Sequence, residues 1–300
     1  MFALFSKSLL YLSASLYLQT GIKWLLTEGD KILISAFATL EDQGTYAISA
    51  NYGGLLARML FRPIEDSSRN LFANLCSDTK EDVAKEALMK QDKAEPVATS
   101  KQKAEIQQAA SILHDILKVY YIGSLVVIVI GPTAAPVLLR LVAGSRWTSS
   151  GAGDVLSIYC FCIPLLAING VSEAFVSATA STKQLQRQSM WMGGFSAGFA
   201  ISAYVFLRVL KMGAIGLVLA NCVNMILRIV FNLYYSRDYF QQRGVQFDLT
   251  DLLPSSYAVA VSCGIMTMWG LSSAPLYGGY GILGELVQLG GIAAVFVLVM

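Results

Sequence analysis

Charge and histidine are both scarce in this sequence. Of its 300 residues only 14% are Asp, Glu, Lys or Arg, while 55% are hydrophobic, and His114 is the single histidine. Soluble domains carry about 25% charged residues, so this composition predicts a membrane protein. One histidine leaves almost no material for a Ser/His/Asp triad or a multi-histidine zinc site, and neither a metal nor another cofactor is expected.

Other common signals are also missing from the sequence. It has no N-x-[ST] glycosylation acceptor, and no basic patch interleaved with aromatic residues points to nucleic acid. The cysteines show neither a CxxC motif nor a Cys/His ligand spacing. We therefore expect the thiols to pack as small hydrophobic groups rather than to form a disulfide framework or a metal site. The cysteines are Cys76, Cys160, Cys162, Cys222 and Cys263.

Long apolar runs make up most of the chain. A helix that crosses the hydrocarbon core of a bilayer needs about 20 residues, and eight runs reach that length. They predict an all-α polytopic membrane protein. The second run is longer than necessary and contains Pro63, so we expect it to be kinked or to project beyond the bilayer. The candidate spans are 14–38, 44–76, 109–131, 153–179, 189–209, 213–236, 252–271 and 280–300.

Much of the charge lies in one stretch between the second and third spans. Residues 78–105 hold 13 charged side chains, so 77–107 is predicted to be a charged, solvated loop. The membrane side with this loop and the N-terminus collects eleven Lys and Arg residues, and the opposite side four. By the positive-inside rule, the N-terminus and the loop are predicted to be cytosolic.

The domain organisation follows from these runs. Residues 1–76 are predicted to contain a lead-in and the first two transmembrane helices, because the N-terminal stretch lacks a convincing signal-peptide cleavage site. After the 77–107 loop, 108–300 are predicted to hold six further helices. The whole is one membrane domain.

A polar stripe runs along the second span. Its five polar residues, which begin at Asn51 and end at Arg69, follow each other at steps of 7, 4, 3 and 4, and this spacing places them on one face of an α-helix. Two arginines four residues apart suit the oxygens of a phosphate or pyrophosphate. The alternative is ion pairing near the membrane surface, of Arg62 with Glu65 or Asp66 and of Glu65 with Arg69. The stripe consists of Asn51, Arg58, Arg62, Glu65 and Arg69.

The first span also contains charges, within "KWLLTEGDKIL". Glu28 and Lys31 are three residues apart and form a possible ion pair, whereas Asp30 faces another side. Arg58 or Arg62 on the next helix is the expected partner of Asp30. Charges inside a span normally face a protein interior or a wet cavity.

Two later spans carry further polar residues. Asn169 and Glu173 lie four apart in the fourth span, and an unpaired carboxylate at mid-membrane is a functional candidate. The sixth span has polar residues on one face, for which interhelical hydrogen bonding is favoured over ligand contact in the case of the asparagines. These are Asn221, Asn224 and Arg228.

Several long stretches resemble a known family. "LTEGDKILIS", "DQGTYAISANYGGLLARMLFRPIEDSSRNLF", "YCFCIPLLAINGVSEAFVSATAS" and "GLVLANCVNMILRI" are similar to the eukaryotic Rft-type oligosaccharide translocation proteins of the endoplasmic reticulum, in the multidrug/oligosaccharidyl-lipid/polysaccharide exporter superfamily. The resemblance implies a fourteen-helix fold with two six-helix repeats and two extra helices. This chain looks like the second repeat with the extra helices, the first repeat being absent, as in a truncated gene model, a fragment or a short isoform.

The resemblance also implies a function. It is the movement of a dolichyl-pyrophosphate-linked oligomannose from the cytosolic to the lumenal leaflet for protein N-glycosylation, either as the flippase itself or as a flipping-associated protein. Lys31, Arg58 and Arg62 would then meet pyrophosphate. Cavity carboxylates would balance these charges or bind sugar hydroxyls, and the remaining polar residues would line the cavity. The carboxylates are Glu28, Asp30, Glu65 and Glu173; the other cavity residues are Asn51, Asn169, Asn221, Asn224 and Arg228.

Other functions remain open. One is a non-transporting scaffold or chaperone of the dolichol pathway, with glycosyltransferases of that pathway as partners. Another is a cation-coupled solute antiporter of the same superfamily. An enzyme is not expected, because "EDQG" at 41–44 is the only short candidate for paired acidic residues, and Glu41 and Asp42 are better interpreted as caps of a helix that begins after Gly44.

Overall fold

The computed structural model describes residues 34–76, 100–144 and 151–248, with separate helical positions at 21, 284, 287, 290, 291 and 294. These residues are helical or in connections, and none of them is in a strand. Two π-helical turns, Ala57–Phe61 and Val205–Val209, interrupt the α-helices. The helices are α1 Leu40–Leu56, α2 Arg62–Leu75, α3 Ser100–Ala143, α4 Ala152–Tyr159, α5 Cys162–Thr179, α6 Thr182–Tyr204 and α7 Gly213–Gln241.

Four helices among the described residues are long and apolar enough to cross a membrane. They are α3, α5, α6 with its π-helical extension, and α7, which correspond to the third to sixth candidate spans. The second candidate span is helical but is not one of the four. The first, seventh and eighth lie largely outside the described residues. The helical fold class is therefore confirmed, while the count of eight spans stays a prediction.

A π-helical turn separates α1 from α2 and ends two residues before Pro63. Proline cannot donate to the carbonyl four residues back, here that of Met59, and its ring crowds that carbonyl. A π-helical turn is a common way for a helix to absorb such a disruption and to bend. The irregularity thus lies where the sequence predicted a kink, although its form, the π-helical turn Ala57–Phe61, was not predicted.

Helix α3 is longer than the predicted span 109–131. It begins at Ser100, inside the predicted loop 77–107, and contains two prolines. Pro136 has no N–H for the carbonyl of Pro132, which would otherwise accept a helical hydrogen bond. The hydroxyl of Ser157 on α4 donates to that carbonyl instead, at 2.7 Å. This bond satisfies the carbonyl that Pro136 leaves without a helical donor, and it ties α3 to α4.

The predicted fourth span, 153–179, was wrong as a single helix. The structure has α4 and α5, which are separated at Cys160 and Phe161. Tyr159, the last residue of α4, is buried against Gly53 of α1. The break therefore allows α4 to pack against α1 and α3, while α5 begins a separate helix in the middle of the bundle.

Helix α5 is the central element of the described structure. The ring of Phe175 lies 5.2 Å from that of Phe72 on α2 and 4.9 Å from that of Phe240 on α7, measured between centroids. All three rings are fully buried. Such aromatic clusters contribute apolar burial as well as ring contacts, so α5 packs against both α2 and α7 at this point.

A disulfide joins α5 to α7. It links Cys162 to Cys222, whose Cα atoms are 5.5 Å apart. The expectation that these thiols pack as separate hydrophobic groups was therefore wrong, because their spacing of 60 residues carries no motif and only helix packing brings them together. Cys160, by contrast, is a buried thiol whose Sγ donates to the carbonyl of Leu156 at 3.4 Å.

The disulfide predicts a definite thiol count. Protein denatured without reductant should react with a maleimide reagent at two fewer cysteines than protein denatured after reduction, since one bond consumes the thiols of Cys162 and Cys222. Gel shift with a polymer-tagged maleimide measures both numbers. The control Cys160→Ser should lower both counts by one and keep the difference, whereas Cys162→Ser should abolish it. Equal counts in the unsubstituted protein would contradict the bond.

Candidate functional site

The first polar contact of the predicted stripe joins Arg58 to Asn51. The Arg58 Nη2 donates to the Asn51 carbonyl at 2.8 Å and to its Oδ1 at 3.1 Å. Both residues are exposed. Because Asn51 lies two turns earlier on the same face, it holds the guanidinium along the helix without neutralising its charge.

Arg62 is exposed one turn beyond Arg58. The two arginines therefore remain neighbours, although they stand on either side of the end of the π-helical turn. The prediction of one continuous face assumed a regular α-helix throughout. A π-helical turn contains an extra residue, so the stripe changes direction here, and its later members contact a different part of the molecule.

The later part of the stripe faces α5. The Arg69 Nε donates to the Ser177 hydroxyl at 3.1 Å, and its Nη1 forms an ion pair with Asp66 at 3.3 Å. The ion pair found in this segment is thus Arg69 with Asp66, and neither Arg62 with Glu65 nor Glu65 with Arg69 is paired among the described residues. This contact fixes the end of α2 against the end of α5.

Glu65 lies against Gly170 of α5. A methyl group at Gly170 would overlap the Glu65 carboxyl, so the missing side chain creates the space that the carboxyl occupies. Glu65 is repelled by the charge of Glu173 on α5, and on its own helix its charged neighbours are Asp66, Arg69 and Arg62. Two candidate carboxylates, far apart in sequence, are therefore close together.

Asn169 and Glu173 occupy the same region of α5. The Asn169 Nδ2 donates to Glu173 Oε2 at 3.3 Å. Asn169 is only 8% exposed, and its Oδ1 has no hydrogen-bond partner among the described residues. The carboxylate of Glu173, which the sequence suggested was unpaired, therefore accepts a hydrogen bond, while one buried acceptor of Asn169 stays unused.

The polar face of α7 packs inward. Asn221 and Asn224 are buried, and Arg228 has a buried Nε. Neither Asn224 Oδ1 nor Arg228 Nε has a hydrogen-bond partner among the described residues. The expected hydrogen bond between helices comes instead from Asn232, whose Nδ2 donates to the Ser172 hydroxyl of α5 at 3.4 Å. Asn232 continues the four-residue spacing from Arg228, a signal that could have identified it.

Asp42 has a role that the sequence did not indicate. Helix α1 begins at Leu40 rather than after Gly44, and Thr39 is its N-cap. The Asp42 Oδ1 accepts a hydrogen bond from the backbone N–H of Ala214 at 2.9 Å. An acidic side chain at the first turn of α7 satisfies a free N–H and complements the helix dipole. Asp42 therefore caps a helix 172 residues further along the chain.

Three members of the predicted site are not placed by the structure. Glu28, Asp30 and Lys31 lie outside the described residues, and so does the proposed partnership of Asp30 with Arg58 or Arg62. What the structure brings together is a guanidinium region around Arg58 and Arg62, and a carboxylate region between α2 and α5.

Comparison with known proteins identifies the family. A sequence model of the family described as Rft protein matches residues 1–300, the whole chain. The chain belongs to the Rft protein family. Its Rft relatives include the "Man(5)GlcNAc(2)-PP-dolichol translocation protein RFT1" of Saccharomyces cerevisiae, 33% identical over 88% of this chain and 43% of the relative. The protein of the same name in Xenopus tropicalis is 34% identical over 89% of this chain and 46% of the relative.

The matches cover only part of each relative. The Rft chain described here spans less than half the length of these curated relatives. The relative of the same name in Schizosaccharomyces pombe, 34% identical over 81% of this chain, is covered over 41% of its length. No solved structure matches the chain.

Proposed function

We propose that this Rft protein contributes one wall of a transporter that moves dolichyl-pyrophosphate-linked oligomannose from the cytosolic to the lumenal leaflet of the endoplasmic reticulum membrane. The relatives' printed names describe translocation of Man(5)GlcNAc(2)-PP-dolichol. Protein N-glycosylation is the process that this movement would supply. The protein acts by binding and conformational change rather than by chemical conversion of the lipid.

The exposed guanidinium groups of Arg58 and Arg62 carry the proposal. They lie midway along the helical segment from Leu40 to Leu75, in the second candidate span. An exposed charge at membrane depth is costly unless it faces a wet cavity or another part of the protein. Two neighbouring guanidinium forks suit the oxygens of a pyrophosphate, and each can bind bidentately.

An apolar groove lies beside the arginines. It has a volume of about 720 Å³ and runs between α1 and α3. Met59 and Leu60 line it from the same π-helical turn that carries Arg58, and Val126 and Leu138 line it from α3. A dolichyl pyrophosphate needs a polar site for its headgroup next to an apolar path for its tail. The π-helical turn supports both requirements, because Arg58 supplies a charged group for the headgroup and Met59 and Leu60 line the apolar groove.

The orientation of the helical bundle in the membrane is part of the proposal. Basic residues gather at the bundle end where α2, α5 and α7 finish, and this end would be cytosolic by the positive-inside rule. Fewer lie at the other end, where α3 and α6 finish. At the first end are Lys103, Lys183, Arg187, Arg237 and Arg243; at the second are Arg140, Arg208 and Lys211.

The test is translocation of lipid-linked oligosaccharide by the purified protein in liposomes. We expect Arg58→Ala and Arg62→Ala each to slow translocation at least about tenfold, the effect of losing about 1.4 kcal/mol of ion pairing. Arg58→Lys should retain part of the rate, because it keeps the charge but not the fork.

Arg69→Ala is the matched control. It removes the same charge from the same helical segment, but its guanidinium is bound to Asp66 and Ser177, so translocation should stay close to normal. Normal rates in Arg58→Ala and Arg62→Ala at equal protein abundance would exclude these residues from the cargo site. If the unsubstituted protein does not accelerate translocation, a scaffold that binds the glycolipid or dolichol-pathway glycosyltransferases replaces the transporter.

A further inference from the structure

Helix α3 is much longer than a membrane crossing requires. Its run 119–139 contains no charged residue and is about 31 Å long, which matches the hydrocarbon core of a bilayer. The preceding part of the helix, 100–118, carries charged and polar side chains. This part therefore projects out of the hydrocarbon core, at the bundle end that is cytosolic in the proposed orientation.

The chain that follows α7 packs beside the projecting part of α3. The backbone of Gly244 is left-handed, with φ of 68°, and the chain turns there. Val245 and Phe247 are buried, and they belong to the same apolar cluster as Ile106 of α3. The segment 244–248 is therefore fixed next to α3 by apolar contacts.

A polar pocket of about 600 Å³ lies between α3 and the segment 244–248. The α3 side chains that line it follow each other at steps of 4, 4 and 3, so they share one helical face. The Lys103 Nζ lies 3.9 Å from where a Cβ of Gly244 would stand, so this side chain reaches across the pocket. We call this cavity the α3 pocket. Its α3 side chains are Lys103, Gln107, Ser111 and His114.

The polar groups of the α3 pocket are little used within the protein. The side chains of Lys103, Gln107 and Ser111 are exposed and form no hydrogen bond or ion pair with another described residue. The Nδ1 of His114 lies 3.5 Å from Asp115 Oδ1, which leaves its Nε2 unused among these residues. A concave pocket with several converging, unused polar groups is typical of a ligand site.

The chemistry of the lining distinguishes between classes of ligand. Lys103 can only donate hydrogen bonds, whereas Gln107 and Ser111 can both donate and accept them. On the opposite side of the pocket the carboxylate of Asp248 can only accept. Phosphate oxygens are acceptors with negative charge, so a carboxylate in the lining disfavours them. Sugar hydroxyls are uncharged and both donate and accept, which matches this mixture.

We propose that the α3 pocket binds the oligomannose part of the lipid-linked oligosaccharide before translocation, with Gln107 and Ser111 hydrogen-bonded to sugar hydroxyls. The inference rests on the proposed function, in which Arg58 and Arg62 bind the pyrophosphate of the same molecule. The two sites would recognise different parts of the cargo. The arginines would select a pyrophosphate lipid, and the pocket would select one that carries mannose.

The spacing of the two sites suits one ligand that reaches both. Along α2, Arg62 lies ten residues before Phe72, about 15 Å. Phe72 belongs to the same buried cluster as Leu113, and the α3 pocket begins at the next residue, His114. A chain of several sugars spans such a distance, so the glycan would extend along the bundle from the pyrophosphate to the pocket.

Equilibrium binding of two dolichyl pyrophosphates to the purified protein in nanodiscs tests this assignment. One carries Man(5)GlcNAc(2) and the other only GlcNAc(2). We expect the first to bind at least about tenfold more tightly, because several hydrogen bonds are added. Gln107→Ala and Ser111→Ala should each lower this ratio about two- to tenfold, the net effect of one hydrogen bond. Both side chains are exposed, so both variants should fold.

Arg58→Ala separates this inference from the proposed function. It should weaken the binding of both lipids alike and leave their ratio unchanged, because the pyrophosphate is common to them. A ratio that depends on Gln107 and Ser111 in a protein that does not translocate the lipid would remove the transport function and keep the pocket.

Gln108→Ala is the matched control. Gln108 is an exposed glutamine on α3 outside the lining of the pocket, so its removal should keep the ratio. Equal affinities of the two lipids for the unsubstituted protein would overturn the inference, as would a ratio that Gln107→Ala and Ser111→Ala leave unchanged. Phosphatidylinositol added to the nanodisc should not alter the ratio. If it abolished the ratio and Lys103→Gln restored it, the pocket would belong to a phosphate headgroup instead.

Discussion

Gly53→Ala should lower the free energy of unfolding by about 1–3 kcal/mol, the usual cost of overpacking a buried site. A Cβ at Gly53 would overlap Cδ1 and Cε1 of the Tyr159 ring. Tyr159 is 5% exposed at the end of α4, so a rigid aromatic ring would have to move together with its helix. α1 and α4 would then separate, and the helix break after Tyr159 would lose its packing partner.

The neighbouring glycine provides the control for this substitution. A Cβ at Gly54 would meet no atom within 4 Å, and alanine favours a helix by about 1 kcal/mol over glycine. Gly54→Ala should therefore leave the thermal unfolding midpoint unchanged or raise it slightly, in detergent-purified protein. If both alanines had the same effect on the midpoint, close packing at Gly53 would not be what holds α1 against α4.

Gly170→Ala should also be strongly destabilising, by about 1–3 kcal/mol. The new methyl group would take the space of the Glu65 carboxyl, and the shift would separate α2 from α5. Because the conflict is with a side chain, Glu65→Ala should relieve it. We expect the double variant to be more stable than Gly170→Ala alone, with a coupling free energy of about 0.5–3 kcal/mol between the two sites.

A double-mutant cycle of unfolding midpoints measures this coupling. Gly123→Ala on α3 is a suitable control, since no atom lies within 4 Å of its added Cβ, and it should have little effect with or without Glu65→Ala. Additive effects of Gly170→Ala and Glu65→Ala would show that the carboxyl of Glu65 does not occupy the space over Gly170.

The sequence was most informative where a property repeats along one helix. The spacing from Asn51 to Arg58 placed these residues two turns apart on one helical face, and they form a hydrogen bond. The pair of Asn169 and Glu173 was also recognisable from a spacing of four.

Local pattern was less informative wherever the helix departs from regular geometry. The π-helical turn Ala57–Phe61 lies inside the stripe, so positions counted at 3.6 residues per turn lead to the wrong direction beyond it. Similarly, the apolar run 153–179 contains no charged signal at Cys160 and Phe161, where the chain divides into α4 and α5. At the first place Pro63 disrupts the regular helix, and at the second α4 packs with Tyr159 against Gly53 of α1.

Composition and hydrophobic pattern alone determined the membrane class, the helical architecture and the residues that carry charge into the spans, because bilayer thickness and backbone hydrogen bonding leave few alternatives. Family membership was already visible in long matching stretches. Only the tertiary structure decided that Cys162 bonds to Cys222, that Asp42 caps α7 and that Glu65 meets Gly170 beside Glu173. These contacts join residues 60 or more positions apart, and their geometry depends on how whole helices pack, which no local spacing encodes.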